Sequence, residues 1–143
     1  MRGQGETMSC VFCQIVRGEL PAHTVYEDSE TIAFLDIHPM TDGHTLVIPK
    51  VHAERLADLS PELAGKLFET VQRVAGRIAQ ALEAPALTIG INDGLAAGQA
   101  VPHLHVHIIP RFPGDGGGSM HSILYKSQKR PLEEIHRLIA NAF

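Results

Sequence analysis

The stretch HLHVHII, residues 103–109, places three histidines at strict alternation, with aliphatic residues in the gaps. Side chains of a β-strand alternate between its two faces with a period of two residues. The pattern therefore predicts a strand with His103, His105 and His107 on one face and core-forming aliphatic side chains on the other. The chain contains nine histidines and places three of them here. A purely structural strand does not need titratable nitrogens along one face, so the pattern predicts a functional surface.

Length and composition are those of an ordinary single domain. The chain has 143 residues, of which 44% are hydrophobic and 20% are charged. We expect a flexible extension over residues 1–9 and one domain over residues 10–143. The net charge of −4 and the lack of a basic run argue against nucleic-acid binding. No apolar stretch approaches the roughly 18 residues of a membrane span. Two cysteines and no secretory signal favour a cytoplasmic location.

Apolar runs and their end signals predict the secondary structure. Ser60 followed by Pro61 is a typical helix start, and the helix should run to about Leu82. Strands are predicted over residues 25–28, 31–37, 44–49, 87–92 and 104–109, a short helix or turn over residues 10–18, and an amphipathic helix over residues 131–143. Strands in hairpin order around one long helix favour an α+β fold with an antiparallel sheet of about five strands.

Two kinds of chemistry fit three histidines on one strand face. They could bind a catalytic metal, as three-histidine zinc sites do, or one imidazole could be a nucleophile whose neighbours hold phosphate oxygens. The flanking residues favour the second interpretation. Asn92 ends the preceding strand, and Gly98 and Gln99 lie in the loop before the histidines. Side-chain amides and glycine-exposed backbone amides donate hydrogen bonds to phosphate, but neutral amides are poor zinc ligands.

The motif resembles the signature of the histidine triad (HIT) nucleotide hydrolases, in which three histidines alternate with aliphatic residues. Residues 103–109 match this signature at every position. The segments FLDI at residues 34–37, GHTLVIPK at residues 43–50 and AGQ at residues 97–99 are also similar to the family. The resemblance covers residues 10–110, and the N-terminal Cys-x-x-Cys suggests the bacterial-type branch.

The resemblance implies a HIT-like fold and a hydrolase that releases a nucleoside monophosphate, such as AMP, in two steps. His105 would attack the α-phosphorus, and water would then hydrolyse the nucleotidyl-histidine. The substrate would be a phosphoramidate, an acyl adenylate or a dinucleoside polyphosphate. His103 would be the first member of the catalytic triad, and His107 would contact the α-phosphate and the leaving group. Phosphate oxygens would be held by Asn92, Gly98 and Gln99. Asp36 would bind the ribose hydroxyls, Ile37 would pack on the base of a purine nucleotide, and His44 would contact the triad from behind.

Two departures from the family pattern bear on specificity. Ala100 stands where the family commonly carries a hydroxyl, so one phosphate contact is expected to be missing and the leaving group is not defined. The chain has no tryptophan, whereas one branch ends in a tryptophan-containing segment linked to substrate preference. The Gly-rich segment over residues 113–119 is expected to form a mobile tip.

Cys10 and Cys13 have three possible roles: a redox pair, two inert buried side chains, or half of a zinc site. A redox pair would follow a strand of a βαβ unit, and none is predicted. The family resemblance implies a zinc site that His52 and His103 complete. The metal would be structural and would tie the N-terminus to the back of the active-site strand.

Two other functions remain open. A three-histidine zinc hydrolase would lose turnover on chelation and regain it with zinc alone. A non-catalytic nucleotide-binding protein would bind nucleotide without turning it over.

The long helix predicts a homodimer. Its core positions from Leu63 to Leu82 fill an arc of about 100°, the usual width of a core-facing stripe. Ala64, Phe68 and two further alanines extend the apolar arc to roughly 160°, more than one sheet face should cover. The resemblance implies pairing through this helix and an edge strand. The alternative is that the C-terminal helix of the same chain covers the excess.

Overall fold

The computed structural model describes residues 9–143, so most of the expected N-terminal extension lies outside the described residues. Five strands form a sheet in the order β1-β2-β3-β5-β4, with β1 at Thr24–Glu27, β2 at Thr31–Leu35, β3 at Thr45–Pro49, β4 at Ala86–Gly90 and β5 at Val106–Arg111. Every neighbouring pair is antiparallel. The predicted α+β fold with a five-stranded antiparallel sheet is confirmed.

The helices are α1 at Val11–Val16, α2 at Pro61–Leu82 and α3 at Leu132–Ala140. α2 begins where predicted because the Ser60 hydroxyl accepts a hydrogen bond from the Leu63 N–H at 3.2 Å. It ends where Glu83 adopts the left-handed conformation, with φ at +52°. In the described part of the chain, no helix combines the length and the apolar character that crossing a membrane requires.

The sheet has a hydrophobic core on each face. One core faces α2 and contains Ala33, Val47, Val106, Ile108, Leu67, Val71 and Val74. The other faces α1 and contains Phe12, Ile32, Phe34, Leu46 and Ile48. The two sets alternate along β2 and β3, as the pleat of a strand requires. His107 pairs with Leu46 across β5 and β3, which places this histidine on the α1 face.

β5 begins two residues later than predicted, so the three histidines do not share one strand. The ladder with β3 ends at the pair Val47–Val106. The N–H of Leu104 donates to the Ala53 carbonyl at 2.7 Å instead of entering the ladder. His103 and His105 therefore lie in the segment that leads into β5, where backbone bonds to a loop replace those to a neighbouring strand.

The C-terminal region packs loosely on the rest of the chain. Residues 113–143, all of which the structure describes, contain no buried side chain. The segment expected to be a mobile tip is tied to β5, because the Asp115 carboxylate accepts from the Arg111 guanidinium at 2.8 Å and from the Gly117 N–H at 2.9 Å. Phe68 on α2 remains 42% exposed. α3 therefore does not cover the apolar arc of α2.

Candidate active site

A cavity of about 530 Å³ lies on the α1 face of the sheet and brings together several predicted site residues. Its polar wall consists of Asp36, His38, His105 and His107. The apolar wall comes from α1, the central strands and the loop before β5, through Val11, Phe12, Ile15, Leu20, Pro21, Ala22, Phe34, Leu35, Ile37, Leu46, Ala100 and Val101. An apolar cavity of this size with a few convergent polar groups is typical of small-molecule sites.

The backbone fixes the proton position on His105. Its Nδ1 lies 2.7 Å from the carbonyl oxygen of His103. Because a carbonyl only accepts hydrogen bonds, Nδ1 carries a proton, and the neutral ring has its lone pair on Nε2. The side chain is buried and lines the cavity. The arrangement provides an unprotonated imidazole nitrogen that can act as a nucleophile.

His44 fixes the opposite proton position on His107. The backbone N–H of Met40 donates to His44 Nδ1 at 3.1 Å, so neutral His44 carries its proton on Nε2. This Nε2–H lies 2.9 Å from His107 Nδ1, which accepts it. Neutral His107 must then carry its own proton on Nε2. A chain of two hydrogen bonds thus runs from the backbone to Nδ1 of His107 and leaves the proton of His107 on Nε2.

The electrostatic surroundings keep His107 neutral. Burial, with smaller contributions from His105 and His44, lowers the pKa of His107 to about 4. Burial also lowers the pKa of His44. His107 Nε2 is buried and meets no hydrogen-bond partner among residues 9–143. A buried donor without a partner is rare in proteins, and this one belongs to a side chain of the cavity wall, where it can meet an acceptor on a bound molecule.

Asp36, His44 and His107 also have donor atoms within 4.8 Å of one another, a spacing compatible with a metal ion. The hydrogen bonds indicate a different role. A metal on His44 Nε2 would move the ring proton to Nδ1, which faces the donating N–H of Met40. The Met40 N–H, His44 and His107 are therefore better described as a hydrogen-bonded relay, beside which the Asp36 carboxylate lies 3.5 Å from His44 Nε2.

Asp36 and Ile37 follow β2 and line the same cavity. One carboxylate oxygen of Asp36 accepts the backbone N–H of His38 at 2.9 Å, and the other lies 3.5 Å from His44 Nε2. A carboxylate accepts hydrogen bonds from hydroxyls and repels phosphate. Ile37 is 76% exposed and offers apolar surface to a flat ring.

The four predicted metal ligands also come together, behind the cavity. The Sγ atom of Cys13 lies 3.1 Å from His52 Nδ1, and both Cys10 Sγ and Cys13 Sγ lie 3.5 Å from His103 Nδ1. Zinc–sulfur bonds of about 2.3 Å and zinc–nitrogen bonds of about 2.0 Å place tetrahedral ligands about 3.5 Å apart. The observed spacing fits zinc.

The proton position on His103 also suits a metal. Its Nε2 lies 2.8 Å from the Pro49 carbonyl, so Nε2 carries the proton and the Nδ1 lone pair faces the two sulfurs. A ligating histidine held through its other nitrogen by a carbonyl is typical of zinc sites. His103 is fully buried and does not line the cavity. The three histidines of the motif thus point to two different places.

The predicted phosphate-binding loop lies next to the site, but the side chain of Gln99 makes hydrogen bonds that hold the loop together. Its side-chain oxygen accepts the Gly94 N–H at 2.8 Å, and its amide nitrogen donates to the Glu54 carbonyl at 2.7 Å. Asn92 and Gly98 are exposed, and none of the three residues lines the cavity. Ala100 does line it, at the position where the family hydroxyl was expected.

Three residues of α1 that line the cavity do not belong to the predicted site. Val11, Phe12 and Ile15 form part of its wall, and the ring centroid of Phe12 lies 5.2 Å from that of His105. The available signal was the run of apolar residues within and after the cysteine pair, CVFCQI.

Comparisons with known proteins agree with this architecture. A family model described as the HIT domain matches residues 17–114. A HIT family protein from Bacillus subtilis has a crystal structure that is 40% identical, with a TM-score of 0.84, covering 94% of this chain and 97% of that one. A zinc-bound histidine triad family protein from Mycobacterium smegmatis is 42% identical, with a TM-score of 0.73 and coverage of 95% and 94%. The adenylylsulfatase HINT3 from Arabidopsis thaliana is 39% identical over 106 residues, which span 74% of this chain and 54% of that protein.

Proposed function

This chain belongs to the HIT domain family, and on that basis we propose that it is a nucleotide hydrolase. It releases a nucleoside monophosphate such as AMP by transferring the nucleotidyl group first to His105 and then to water. The observation that carries the proposal is the complementary state of two histidines in one cavity wall. His105 has its lone pair on Nε2, while His107 has a proton on Nε2 and no partner for it among the described residues.

In the first step, Nε2 of His105 attacks the α-phosphorus. A nitrogen–phosphorus bond forms, the bond to the leaving group breaks, and its electron pair departs with that group. Nε2–H of His107 donates a hydrogen bond on the leaving side, where negative charge collects. In the second step, water attacks the phosphorus, the electron pair of the nitrogen–phosphorus bond returns to Nε2 of His105, and the proton that the water loses passes to solvent.

The apolar cavity supports a nucleotide substrate. Asp36 accepts hydrogen bonds from the ribose hydroxyls, and Ile37 packs on the purine base. Asn92 is proposed to add a phosphate contact. Gly98 and Gln99, whose N–H groups donate to carbonyls of the protein, are proposed to hold the loop beside the phosphate. No lysine or arginine occurs among the described residues that line the cavity, so hydrogen bonds from neutral donors must balance the phosphate charge.

Three leaving-group classes remain candidates: phosphoramidates, acyl adenylates and dinucleoside polyphosphates. The Arabidopsis relative is named an adenylylsulfatase, so adenylyl sulfate belongs in the same substrate screen.

Cys10, Cys13, His52 and His103 are proposed to hold a structural zinc ion. The distances among their ligand atoms, the proton position on His103 and the zinc-bound relative from Mycobacterium smegmatis support this assignment. When bound, zinc would supply a rigid link between α1 and the segment before β5. His52 and His103 lie on different loops, so the link would also join those loops.

The protein is further proposed to be a homodimer. Phe68 is exposed on the apolar side of α2, and the amphipathic helix α3 exposes Leu132, Leu138 and Ile139. Exposed apolar surface of this extent in one small domain favours an interface.

A trapping experiment tests the reaction. Adenosine 5′-phosphoramidate labelled at the phosphorus is mixed with the protein and quenched without acid, because the intermediate is acid-labile. Label should appear on the wild-type protein at His105. In the His105→Asn variant, labelling should be lost and turnover should fall by at least about a thousandfold, while binding of AMP is retained.

The matched control is His23→Asn, which makes the same change at an exposed histidine that does not line the cavity. This variant should retain labelling and turnover. Near wild-type turnover in His105→Asn would overturn the mechanism. Binding of AMP by wild-type protein without turnover of any screened substrate would instead indicate a non-catalytic nucleotide-binding protein.

A further inference from the structure

Phe12 lies between the proposed nucleophile, His105, and the cysteine–histidine cluster, which consists of Cys10, Cys13, His52 and His103. It lies between Cys10 and Cys13 and is 7% exposed. Its ring makes edge-to-face contacts with three others: Phe34 at a centroid distance of 5.5 Å, His103 at 5.9 Å and His105 at 5.2 Å. These separations lie within the range in which edge-to-face pairs attract each other. One side chain of α1 therefore touches both a cluster residue and His105.

The cluster leaves Phe12 little freedom to move. Cys10 caps α1, because its sulfur accepts the N–H of Cys13 at 3.4 Å. Both sulfurs also lie 3.5 Å from the ring of His103. Cys10 and Cys13, which flank Phe12 in the chain, are thus both held against His103.

The hydrogen bond of His105 does not by itself determine the tilt of its ring. The bond from His105 Nδ1 to the His103 carbonyl fixes the proton position and one direction of the ring. A single hydrogen bond does not fix the tilt of a ring about that bond. The rings of Phe12 and His107 approach His105 with interplanar angles of 82° and 60°, and His107 lies at a centroid distance of 5.0 Å. These two neighbours can fix the tilt.

We propose that Phe12 is a positioning residue that fixes the ring plane of His105, and that the cysteine–histidine cluster anchors Phe12 for this task. The inference rests on the proposed role of His105 as the nucleophile. Attack on phosphorus requires the Nε2 lone pair to point along the line of the breaking bond. A leucine at position 12 fills similar space but cannot supply the planar edge. Loss of the planar edge should therefore lower the rate of the chemical step, in addition to any effect of the changed cavity wall on nucleotide binding.

The experiment compares Phe12→Leu with Val16→Ala. Val16 lies on the same helix and packs on the same core, but it does not line the cavity. Phe12→Leu should lower kcat by about tenfold to a hundredfold, since misplacement of a reacting group by about 1 Å has an effect of that order. Phe12 also lines the cavity, so kcat and not KM is the deciding value, and Phe12→Tyr should restore kcat. Val16→Ala should leave kcat unchanged.

A spectroscopic readout separates positioning from general packing. The ring ¹⁵N resonances of His105 are identified as those missing in His105→Asn. They are used because the ring current of Phe12 acts on nearby proton resonances whether or not it positions His105, whereas its effect is small on the ¹⁵N scale. They should shift in Phe12→Leu and not in Val16→Ala. They should also shift in the wild-type protein when a chelator removes zinc, with metal content followed by elemental analysis. If Phe12→Leu does not fold, Phe12→Met replaces it.

An unchanged kcat, a change confined to KM, or unmoved His105 resonances in Phe12→Leu would each overturn the proposal. This result can be distinguished from failure of the proposed function. If His105→Asn turns over substrate normally, the nucleophile has been misassigned, but the resonances still decide whether Phe12 positions the ring.

Discussion

At the scale of single residues, His44 determines which nitrogen of His107 carries a proton, although it does not line the cavity. His44→Ala removes the hydrogen bond to His107 Nδ1, so the proton of His107 is free to occupy either nitrogen. We expect kcat to fall by about a hundredfold, at the lower end of general acid–base effects, with a small change in KM. Steady-state kinetics with adenosine 5′-phosphoramidate measure this.

The conservative variant His44→Gln tests the reason for that loss. A glutamine amide can also donate to His107 Nδ1, so this variant should retain more activity than His44→Ala. His23→Ala, at an exposed histidine, should leave kcat unchanged. Equal activity in His44→Ala and the wild-type protein would show that the relay has no role in the reaction.

The low pKa of His107 makes stability depend on pH in a defined window. The pKa is about 4 in the folded protein and 6.5 for an ordinary histidine. Between these values the unfolded chain binds more protons, so the free energy of unfolding should rise with pH from about 4 to about 6.5. Urea unfolding across this range should show a smaller rise for His107→Asn than for the wild-type protein. The same rise in both would contradict the assignment, and His23→Asn is the control.

At the scale of secondary-structure elements, Gly43 shows how closely the turn before β3 approaches α2. Its φ is +86°, and an added Cβ would collide with the Leu82 side chain. Gly43→Ala should therefore lower the free energy of unfolding by about 1–3 kcal/mol, from backbone strain and overpacking. The control is Gly76→Ala in the middle of α2, where an added Cβ meets no atom within 4 Å.

Gly76→Ala should raise the free energy of unfolding by about 0.5–1 kcal/mol, because alanine favours a helix interior over glycine. Urea unfolding of both variants measures the pair of effects. Changes of opposite sign in the free energy of unfolding would confirm that the two glycines lie in different backbone environments. A stabilised Gly43→Ala variant would contradict the close approach of the turn before β3 to α2.

The elements themselves were predictable from the sequence because their signals are local. The long helix was predicted with its correct start and end, since Ser60-Pro61 and the residues before Pro85 provide both. Strand ends were predicted less well. β5 starts at Val106 because Leu104 bonds to Ala53, a contact between segments far apart in the chain that no local pattern reveals.

The same limit applies to the candidate site. Strict alternation predicted that His105 and His107 share a face, and both do line one cavity. The separate environment of His103 depends on the cysteines of α1, which the family resemblance supplied and the spacing alone could not. The role of Phe12 depends on ring contacts across the sheet face, which have no counterpart in sequence order.

At the scale of the whole molecule, exposed apolar surface on α2 leads us to expect a homodimer. Light scattering at micromolar concentration should give twice the chain mass of 15.5 kDa. Phe68→Glu places a charge in the proposed interface and should shift the mass to that of one chain. Gln80→Glu makes a similar charge change at an exposed position of α2 away from the apolar arc and should remain dimeric. A monomeric wild-type protein would contradict the prediction of a homodimer.

The two faces of the sheet are covered unequally, by the 22 residues of α2 on one side and the 6 residues of α1 on the other. A helix of six residues has almost no stability of its own, so its free energy of opening comes from Phe12 and the cysteine–histidine cluster. Amide hydrogens of α1 should therefore exchange with solvent through local opening, while those in the buried part of α2 should exchange only through global unfolding. The α1 wall of the cavity should then open locally more often than the α2 face of the sheet does.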